Sequence, residues 1–119
     1  MIVGTDAPLL PNELKLVAKR VAIGIGRTGT YSSDGSGDIF LAFSTATPSH
    51  NGTETIETWK VLPKSLLNPV FKATVEATEE AVINALVAAE TMEGINGNTL
   101  FAIPHDRLME LMKEYNRVK

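Results

Sequence analysis

The sequence predicts an α+β fold in which helices pack with a mixed sheet. Two long stretches, residues 12–25 and 68–90, carry apolar side chains at helical spacing. Short apolar runs of strand length lie around them, and the predicted element order is β, α, β, β, α, β, α. Of the 119 residues, 44% are hydrophobic and 21% are charged. This length and composition predict one globular domain over residues 1–119 with a single core.

The first two predicted elements are a strand and a helix. Ile2 and Val3 have strand character, and the prolines at positions 8 and 11 end that strand. From Asn12 onward the apolar residues recur at intervals of three and four, which predicts one helical stripe: Leu14, Val17, Ala18, Val21, Ala22 and Ile25. The cationic residues of this helix lie on its other side: Lys15, Lys19 and Arg20.

The helix runs into the stretch "GIGRTG", in which Gly24, Gly26 and Gly29 match the G-x-G-x-x-G pattern of dinucleotide-binding loops. That pattern requires a strand before it and a helix after it, so that the helix N-terminus faces the pyrophosphate. Here a helix precedes the glycines. The sequence therefore favours a helix end in a left-handed conformation over a nucleotide site.

Two strands are predicted in the middle of the chain. The apolar run 38–45 is too short for a helix and predicts a central strand that is covered on both faces. Asn51-Gly52 predicts a loop or hairpin end. The stretch "TIETWKVL", residues 55–62, alternates apolar and polar residues as a half-buried strand does.

The second half of the chain predicts two helices and a strand. Asn68 as N-cap and Pro69 in the first turn open a helix that ends near Glu90. Its small residues allow a neighbouring element to approach closely: Ala73, Ala77, Ala81, Ala85, Ala88 and Ala89. Its acidic residues favour a solvated face over a metal site: Glu76, Glu79 and Glu80. A Gly-Asn loop then leads to a strand at 100–103 and to an amphipathic helix from Pro104, with Asp106 in its first turn.

Composition excludes several classes of function. A net charge of −3 gives no reason to expect a nucleic-acid partner. Without cysteine the chain has no disulfide, zinc–thiolate site or thiol nucleophile, which suits a reducing cytoplasm. The N-terminus has no signal-peptide pattern and no stretch has the length of a membrane span. The two histidines, His50 and His105, lack a second ligand at helical spacing, so we expect no metal site. We also expect no cofactor.

The polar stretch before the central strand holds the candidate site residues. Asp34-Gly35 is a turn dipeptide, and turn chemistry accounts for every residue from Ser32 to Gly37. It does not account for Asp38, because a carboxylate at the mouth of an apolar strand is costly unless it meets partners or water. Ser36 could formally join a histidine and an acid in a catalytic triad, but no spacing supports that arrangement.

Three collinear stretches carry a family resemblance: "TDAPLLPNELKLVAKRVAIGIGRTGTY", "GSGDIFLAFSTAT" and "LNPVFKATVEATEEAVINALVAAETMEGINGNTLFAIPHDRL". They resemble the β-subunit of the DmpA-like L-aminopeptidase/D-amidase/D-esterase family, which includes the β-aminopeptidases. The resemblance implies part of a four-layer αββα fold and a self-processing serine hydrolase of the N-terminal-nucleophile type. It also implies that the precursor is cut once, that the new N-terminal serine of the β-chain is the nucleophile, and that the α-chain supplies most of the oxyanion-binding groups.

Carried over by position, the resemblance assigns supporting roles to two residues of this chain. Ser36 matches a serine that hydrogen-bonds around the nucleophile, and Asp38 matches an acid that contacts the amine of the substrate or of the nucleophile. The nucleophile itself would lie three positions before Met1. We therefore expect these 119 residues to be inactive alone, with Met1 either an internal start or the beginning of a fragment.

The resemblance also implies partners for the complete enzyme: the α-chain of the same precursor, a peptide, amide or ester substrate, and further copies in an oligomer. Two alternatives stay open for the chain alone. It could act as a non-catalytic module that self-associates to cover what the α-chain otherwise covers. It could also keep a weak esterase activity at Ser36, although a serine without a positioned base is a poor nucleophile.

Overall fold

The α+β class is confirmed by a computed structural model, which describes residues 1–46, 56 and 58–118. Its contacts divide the chain into two units, Met1–Glu80 and Ala81–Lys119. The second strand pair lies after the long helix, so the order is β, α, β, α, β, β, α. The elements are β1 (Ile2–Thr5), α1 (Pro11–Arg27), β2 (Leu41–Ser44), α2 (Leu67–Ala88), β3 (Met92–Glu93), β4 (Thr99–Leu100) and α3 (His105–Glu114).

In the first unit, β1 and β2 pair as parallel strands, with Ile2 opposite Leu41 and Thr5 opposite Ser44. Because side chains alternate along a strand, Val3 and Ala42 share one face, which packs on the hydrophobic core. The other face stays open to solvent: Ile2 is 70% exposed, Leu41 57% and Phe43 46%. The expectation of a strand covered on both faces is therefore wrong for β2, because the described helices of this unit leave one face of the sheet open.

The core of the first unit lies between the closed face of this sheet and the two long helices. Leu9, Val17 and Leu67 are buried there. Partly buried apolar side chains pack around them: Val3, Ala7, Leu14, Ala42, Leu62, Val70 and Phe71. Burial of these apolar surfaces is the main force that holds the strands against the helices.

The predicted strand at 55–62 is not found in its described part. Residues 58–62 have no strand pairing, and Ile56 is 82% exposed. Leu62 instead joins the core, and its N–H donates a hydrogen bond to the Pro8 carbonyl over 2.8 Å. The described part of this segment therefore contributes one side chain, Leu62, to the core and forms no strand. The predicted turn at Asn51-Gly52 lies outside the described residues.

Helices α1 and α2 approach each other closely at small and polar side chains. Val21 and Gly24 of α1 are buried, as are Thr74 and Thr78 of α2. Both threonine hydroxyls donate to the carbonyl four residues earlier in their own helix, over 2.8 Å for Thr74 and 2.7 Å for Thr78. This bonding satisfies buried hydroxyls without a partner across the interface.

Two cationic residues of α1 also reach α2. Arg27 Nε lies 2.8 Å from a carboxylate oxygen of Glu79, and the Arg20 guanidinium lies 4.4 Å from the centre of the Phe71 ring. Glu79 thus departs from the expected solvated acidic face, because it is paired across the helix interface. Both contacts are partly exposed, so each stabilises the helix pair by about 1 kcal/mol or less.

The glycines near the end of α1 differ from one another. Gly29 has φ = 101°, so it takes the predicted left-handed conformation just after the C-cap residue Thr28. Gly24 and Gly26 lie inside α1, so the expectation that they form the helix end is wrong. Their helical position also excludes the strand–turn–helix geometry of a dinucleotide loop for this stretch.

Helix α2 begins before the predicted N-cap. A 3-10 turn at Lys64–Leu66 leads directly into Leu67, so Asn68 and Pro69 lie in the first turn of α2. Proline is tolerated there because the first N–H groups of a helix have no intrahelical acceptor. The predicted proline position holds, and the predicted N-cap is wrong by more than one residue.

The second unit contains a short hairpin and α3. β3 and β4 pair antiparallel across a loop in which Asn96 and Gly97 have φ = 61° and 75°. The predicted strand at 100–103 is shorter and earlier, and β3 was not predicted. Helix α3 begins after Pro104 as expected, with Asp106 in its first turn. His105 Nε2 donates to the Val87 carbonyl over 2.9 Å, which caps one carbonyl near the C-terminus of α2.

Candidate active site

The loop that joins α1 to β2 carries both predicted site residues, Ser36 and Asp38, and residues 31–39 are all exposed. The Ser36 N–H donates to the Ser33 carbonyl over 2.8 Å, which closes a four-residue turn. Asp34-Gly35 forms the corner of this turn, so the turn prediction is confirmed. The loop thus turns first and then delivers Asp38 to the start of the strand.

A third residue of this loop, Ser32, contacts Asp38 directly. Its hydroxyl donates to a carboxylate oxygen of Asp38 over 3.1 Å. The backbone of Ser32 has φ = 54°, a left-handed conformation that is uncommon for a serine. Its N–H donates to the Thr30 hydroxyl over 3.2 Å. Sequence reasoning placed Ser32 in the turn and missed this contact, since a serine in a polar loop carries no signal for it.

Ser36 and Asp38 lie in the same loop but are not hydrogen-bonded to each other in the described part of the chain. Ser36 contributes its backbone to the turn, and its hydroxyl makes no hydrogen bond to a described residue. The Ser36 hydroxyl and the Asp38 carboxylate, which Ser32 hydrogen-bonds, therefore belong to exposed residues that are two positions apart in the chain.

The N-terminus of β1 lies beside this loop. The Met1 α-amine donates to the Ile39 carbonyl over 3.0 Å, and the Leu41 N–H donates to the Met1 carbonyl over 3.1 Å. These bonds continue the parallel pairing one residue beyond Ile2. Parallel strands have their N-terminal ends at the same edge of a sheet, so the start of β1 and the carboxylate of Asp38 share one edge.

The hydroxyls at the opposite edge of the sheet have structural partners. Ser44 Oγ donates to the Ala7 carbonyl over 2.6 Å, and the Thr45 N–H donates to the Thr5 carbonyl over 2.9 Å. The Ala7 N–H in turn donates to Thr5 Oγ1 over 3.1 Å. These bonds hold the segment after β1 against the segment after β2. They give Thr5 and Ser44 a structural role.

Groups of metal-ligating side chains and long apolar helices were sought among the described residues. Within residues 1–46, 56 and 58–118, no three of the His, Cys, Asp and Glu residues are grouped as a metal site. His105 is engaged with the Val87 carbonyl, and His50 lies outside the described part of the chain. No helix in these ranges is both long and apolar enough to cross a membrane.

The candidate site is thus a polar loop at the N-terminal edge of a parallel strand pair that packs on two helices. Residues 1–100 match the sequence profile of Peptidase family S58, and the chain belongs to that family. The family comprises serine aminopeptidases and amidases. The resemblance to DmpA-like aminopeptidases is thereby confirmed.

Curated and solved relatives agree with this assignment. The chain is 44% identical over 119 residues to the beta-peptidyl aminopeptidase BapA of Sphingosinicella microcystinivorans, covering 99% of this chain and 30% of that enzyme. A second curated BapA, from Sphingosinicella xenopeptidilytica, is 40% identical and is covered over 29% of its length. The chain thus spans about 30% of the length of the curated relatives that it matches.

Two solved structures show the same fold over nearly the whole chain. A protein from Pyrococcus horikoshii is 48% identical with a TM-score of 0.87, covering 95% of this chain and 32% of that one. The L-aminopeptidase D-Ala-esterase/amidase of Ochrobactrum anthropi is 38% identical, also with a TM-score of 0.87, covering 99% of this chain and 34% of that one. The second structure is described as a prototype of the serine aminopeptidases and a variant of the Ntn-hydrolase fold.

Proposed function

We propose that residues 1–119 form one domain, the β-chain portion of a self-processing serine aminopeptidase that removes N-terminal residues from peptides, amides or esters. The observation that carries this proposal is the parallel register of β1 and β2. Each residue that precedes Met1 would lie opposite the residue that precedes Phe40, since Ile2 lies opposite Leu41. A residue three positions before Met1 would then lie opposite Gly37, between Ser36 and Asp38.

That position suits the nucleophile of an N-terminal-nucleophile hydrolase. A serine there, once it is the first residue of its chain, has a free α-amine that can take the proton from its own hydroxyl. The hydroxyl oxygen attacks the substrate carbonyl, the amide or ester bond breaks, and the proton passes to the leaving group. Water then hydrolyses the acyl-enzyme and regenerates the serine. The oxyanion of each tetrahedral intermediate would be held by groups of the α-chain.

Ser36 and Asp38 support this chemistry from the loop. The Ser36 hydroxyl, which makes no hydrogen bond to a described residue, would bond around the nucleophile. The Asp38 carboxylate would accept a charge-assisted hydrogen bond from a cationic amine, either that of the substrate or that of the nucleophile. A carboxylate that binds the substrate amine gives a physical reason for an aminopeptidase to select free N-termini. No metal or organic cofactor enters this scheme.

The complete enzyme in this proposal contains an α-chain and associates further into a homo-oligomer in the cytoplasm. The open face of the sheet supports the need for a covering chain, because Ile2, Leu41 and Phe43 present apolar surface to solvent. No charged residue lies within β1 or β2. An apolar partner surface, such as the sheet of an α-chain, therefore fits this face better than a charged partner does.

Replacement of the matched segment of the Sphingosinicella microcystinivorans enzyme by residues 1–119 tests the proposed function. We expect this chimera to release N-terminal residues from a β-peptide, because it restores the chain that precedes Met1 and the remaining 70% or so of the enzyme. We expect residues 1–119 alone to show no hydrolysis of aminoacyl p-nitroanilides or esters. Rates of both proteins would be measured under the same conditions.

The parent enzyme and a chimera without its nucleophilic serine serve as controls. A chimera that folds, as judged by circular dichroism and size-exclusion chromatography, yet has no activity would count against the proposed function. Activity of residues 1–119 alone that disappears in Ser36→Ala would instead support Ser36 as a nucleophile of its own and would contradict the expected inactivity.

The open sheet face also favours a second candidate, a non-catalytic assembly module. If the chain works in this way, light scattering will give a mass of at least twice the 12.8 kDa of one chain. Phe43→Glu should return it to the monomer mass, because a carboxylate on this face is costly to bury. Tyr31→Glu is the matched control, since Tyr31 is 89% exposed and lies in the loop rather than on the sheet. A wild-type chain that remains monomeric at high concentration would exclude the module.

A further inference from the structure

We propose that Ser32 is a positioning residue that holds the Asp38 carboxylate in place for the amine it binds. This inference rests on the proposed function, because it gives a partner to the Asp38 of that site. The direct observation is the hydrogen bond of 3.1 Å from the Ser32 hydroxyl to the Asp38 carboxylate. In the described part of the chain this is the one hydrogen bond made by the side chain of Asp38.

The backbone of Ser32 supports this role. A serine at φ = 54° occupies the left-handed region, which glycine and asparagine adopt at a lower conformational energy. The backbone conformation of Ser32 therefore costs free energy. The N–H of Ser32 is held by the Thr30 hydroxyl, and the turn closed by Ser36 and Ser33 follows at once. The loop is thereby folded back so that a side chain six residues before Asp38 reaches its carboxylate.

The consequence for Asp38 concerns orientation. An exposed aspartate is free to rotate about its side-chain bonds, and a carboxylate that must meet a cationic amine loses that freedom on binding. A hydroxyl that already bonds one carboxylate oxygen fixes the side chain before the amine arrives and leaves the second oxygen for the amine. Ser32 thus acts on substrate through Asp38, without contacting the reacting atoms.

A matched pair of substitutions separates the hydroxyl from the backbone. Glycine and asparagine both accept a φ of this sign, but Ser32→Gly removes the donor and Ser32→Asn supplies a new one through its amide. In the chimera defined above, we expect Ser32→Gly to lower kcat/KM by about 2- to 10-fold, the effect of one exposed hydrogen bond. Ser32→Asn should keep kcat/KM at about half of the wild-type value or more.

Folding stability distinguishes positioning from a structural role. Glycine relieves the left-handed backbone, so Ser32→Gly should unfold at the same temperature as the wild type or higher while it loses activity. A purely structural serine would show the opposite, with lower stability and no selective loss of kcat/KM. An Ser32→Gly chimera that is as active as the wild type would overturn the inference.

Two further measurements separate this inference from the proposed function. In the 119-residue chain, NMR coupling constants should report one side-chain rotamer of Asp38 in the wild type and in Ser32→Asn, and rotamer averaging in Ser32→Gly. Averaging in the wild type would overturn the inference whatever the enzyme does. In the chimera, Asp38→Asn without loss of activity would instead overturn the assignment of Asp38, and the role of Ser32 with it.

Discussion

Gly24→Ala is expected to destabilise the 119-residue chain by about 1–3 kcal/mol, the range for overpacking a close contact. A Cβ on Gly24 would lie 2.5 Å from Thr78 Cβ and 2.7 Å from the Val75 carbonyl oxygen. The first atom is fixed to the α2 backbone and the second belongs to it, so no side-chain rotation can relieve the contact. Helices α1 and α2 would have to move apart, and the core beside Val17 would loosen with them.

Gly26→Ala is the matched control in the same helix. A Cβ on Gly26 would meet no atom within 4 Å. Alanine is a better helix former than glycine, so the free energy of unfolding of this variant should rise by about 0.5–1 kcal/mol. Urea unfolding monitored by circular dichroism, with comparison of the midpoints at a constant slope, measures both changes. Equal midpoints for the two variants would show that the helices do not cross at Gly24.

These two glycines also show what periodicity can and cannot predict. The apolar stripe of α1 follows from residue spacing alone, and α1 forms as predicted with its end marked by Gly29. The need for glycine at Gly24 arises from Thr78, a residue more than fifty positions away. A tertiary contact of that kind leaves no local trace, so sequence alone assigns all three glycines to the helix end although only Gly29 lies there.

The sheet was predicted less well than the helices for a related reason. The apolar run before Ser44 identified β2, but it could not show that the face of Leu41 and Phe43 stays open, because burial depends on which element covers a strand. β3 and β4 have two residues each, which is too short for an alternating pattern to stand out. The open face of β2 and the pairing of β3 with β4 both depend on which other elements lie beside these strands, and local sequence does not specify that.

The candidate site shows the same division. Turn chemistry predicted the corner at Asp34-Gly35, and the cost of a carboxylate beside an apolar strand singled out Asp38. The register of β1 with β2, which brings the edge of the sheet to Asp38, became visible only in three dimensions. The hydrogen bond from Ser32 to Asp38 depends on a left-handed backbone at Ser32, and a serine in the sequence does not predict that conformation.

Asp38→Asn is the substitution with the largest expected effect on catalysis. In the chimera, kcat/KM for an amine-bearing substrate should fall by about 10- to 100-fold, which corresponds to a charge-assisted hydrogen bond of about 1.5–3 kcal/mol. Asparagine has the same shape as aspartate and can still accept the hydrogen bond from Ser32, so the geometry of the loop is kept. The change therefore isolates the negative charge.

The division of this loss between kcat and KM identifies which amine the carboxylate meets. If Asp38 binds the substrate amine, KM should rise at least as much as kcat falls, since ground-state binding is weakened. If it binds the amine of the nucleophile, kcat should carry most of the loss, because that amine acts as base during acyl transfer. Steady-state kinetics on one substrate resolve the two cases.

Asp34→Asn provides the control for a lost charge in the same loop. Asp34 lies at the turn corner, where asparagine is equally well accepted, and it has the same net charge effect on the protein as Asp38. A specific role for Asp38 requires that Asp34→Asn keep kcat/KM within about twofold of the wild type, since exposed charges at a distance are screened by salt. If both variants lose activity equally, the loop acts through its overall charge, and the assignment of Asp38 as the amine-binding carboxylate is wrong.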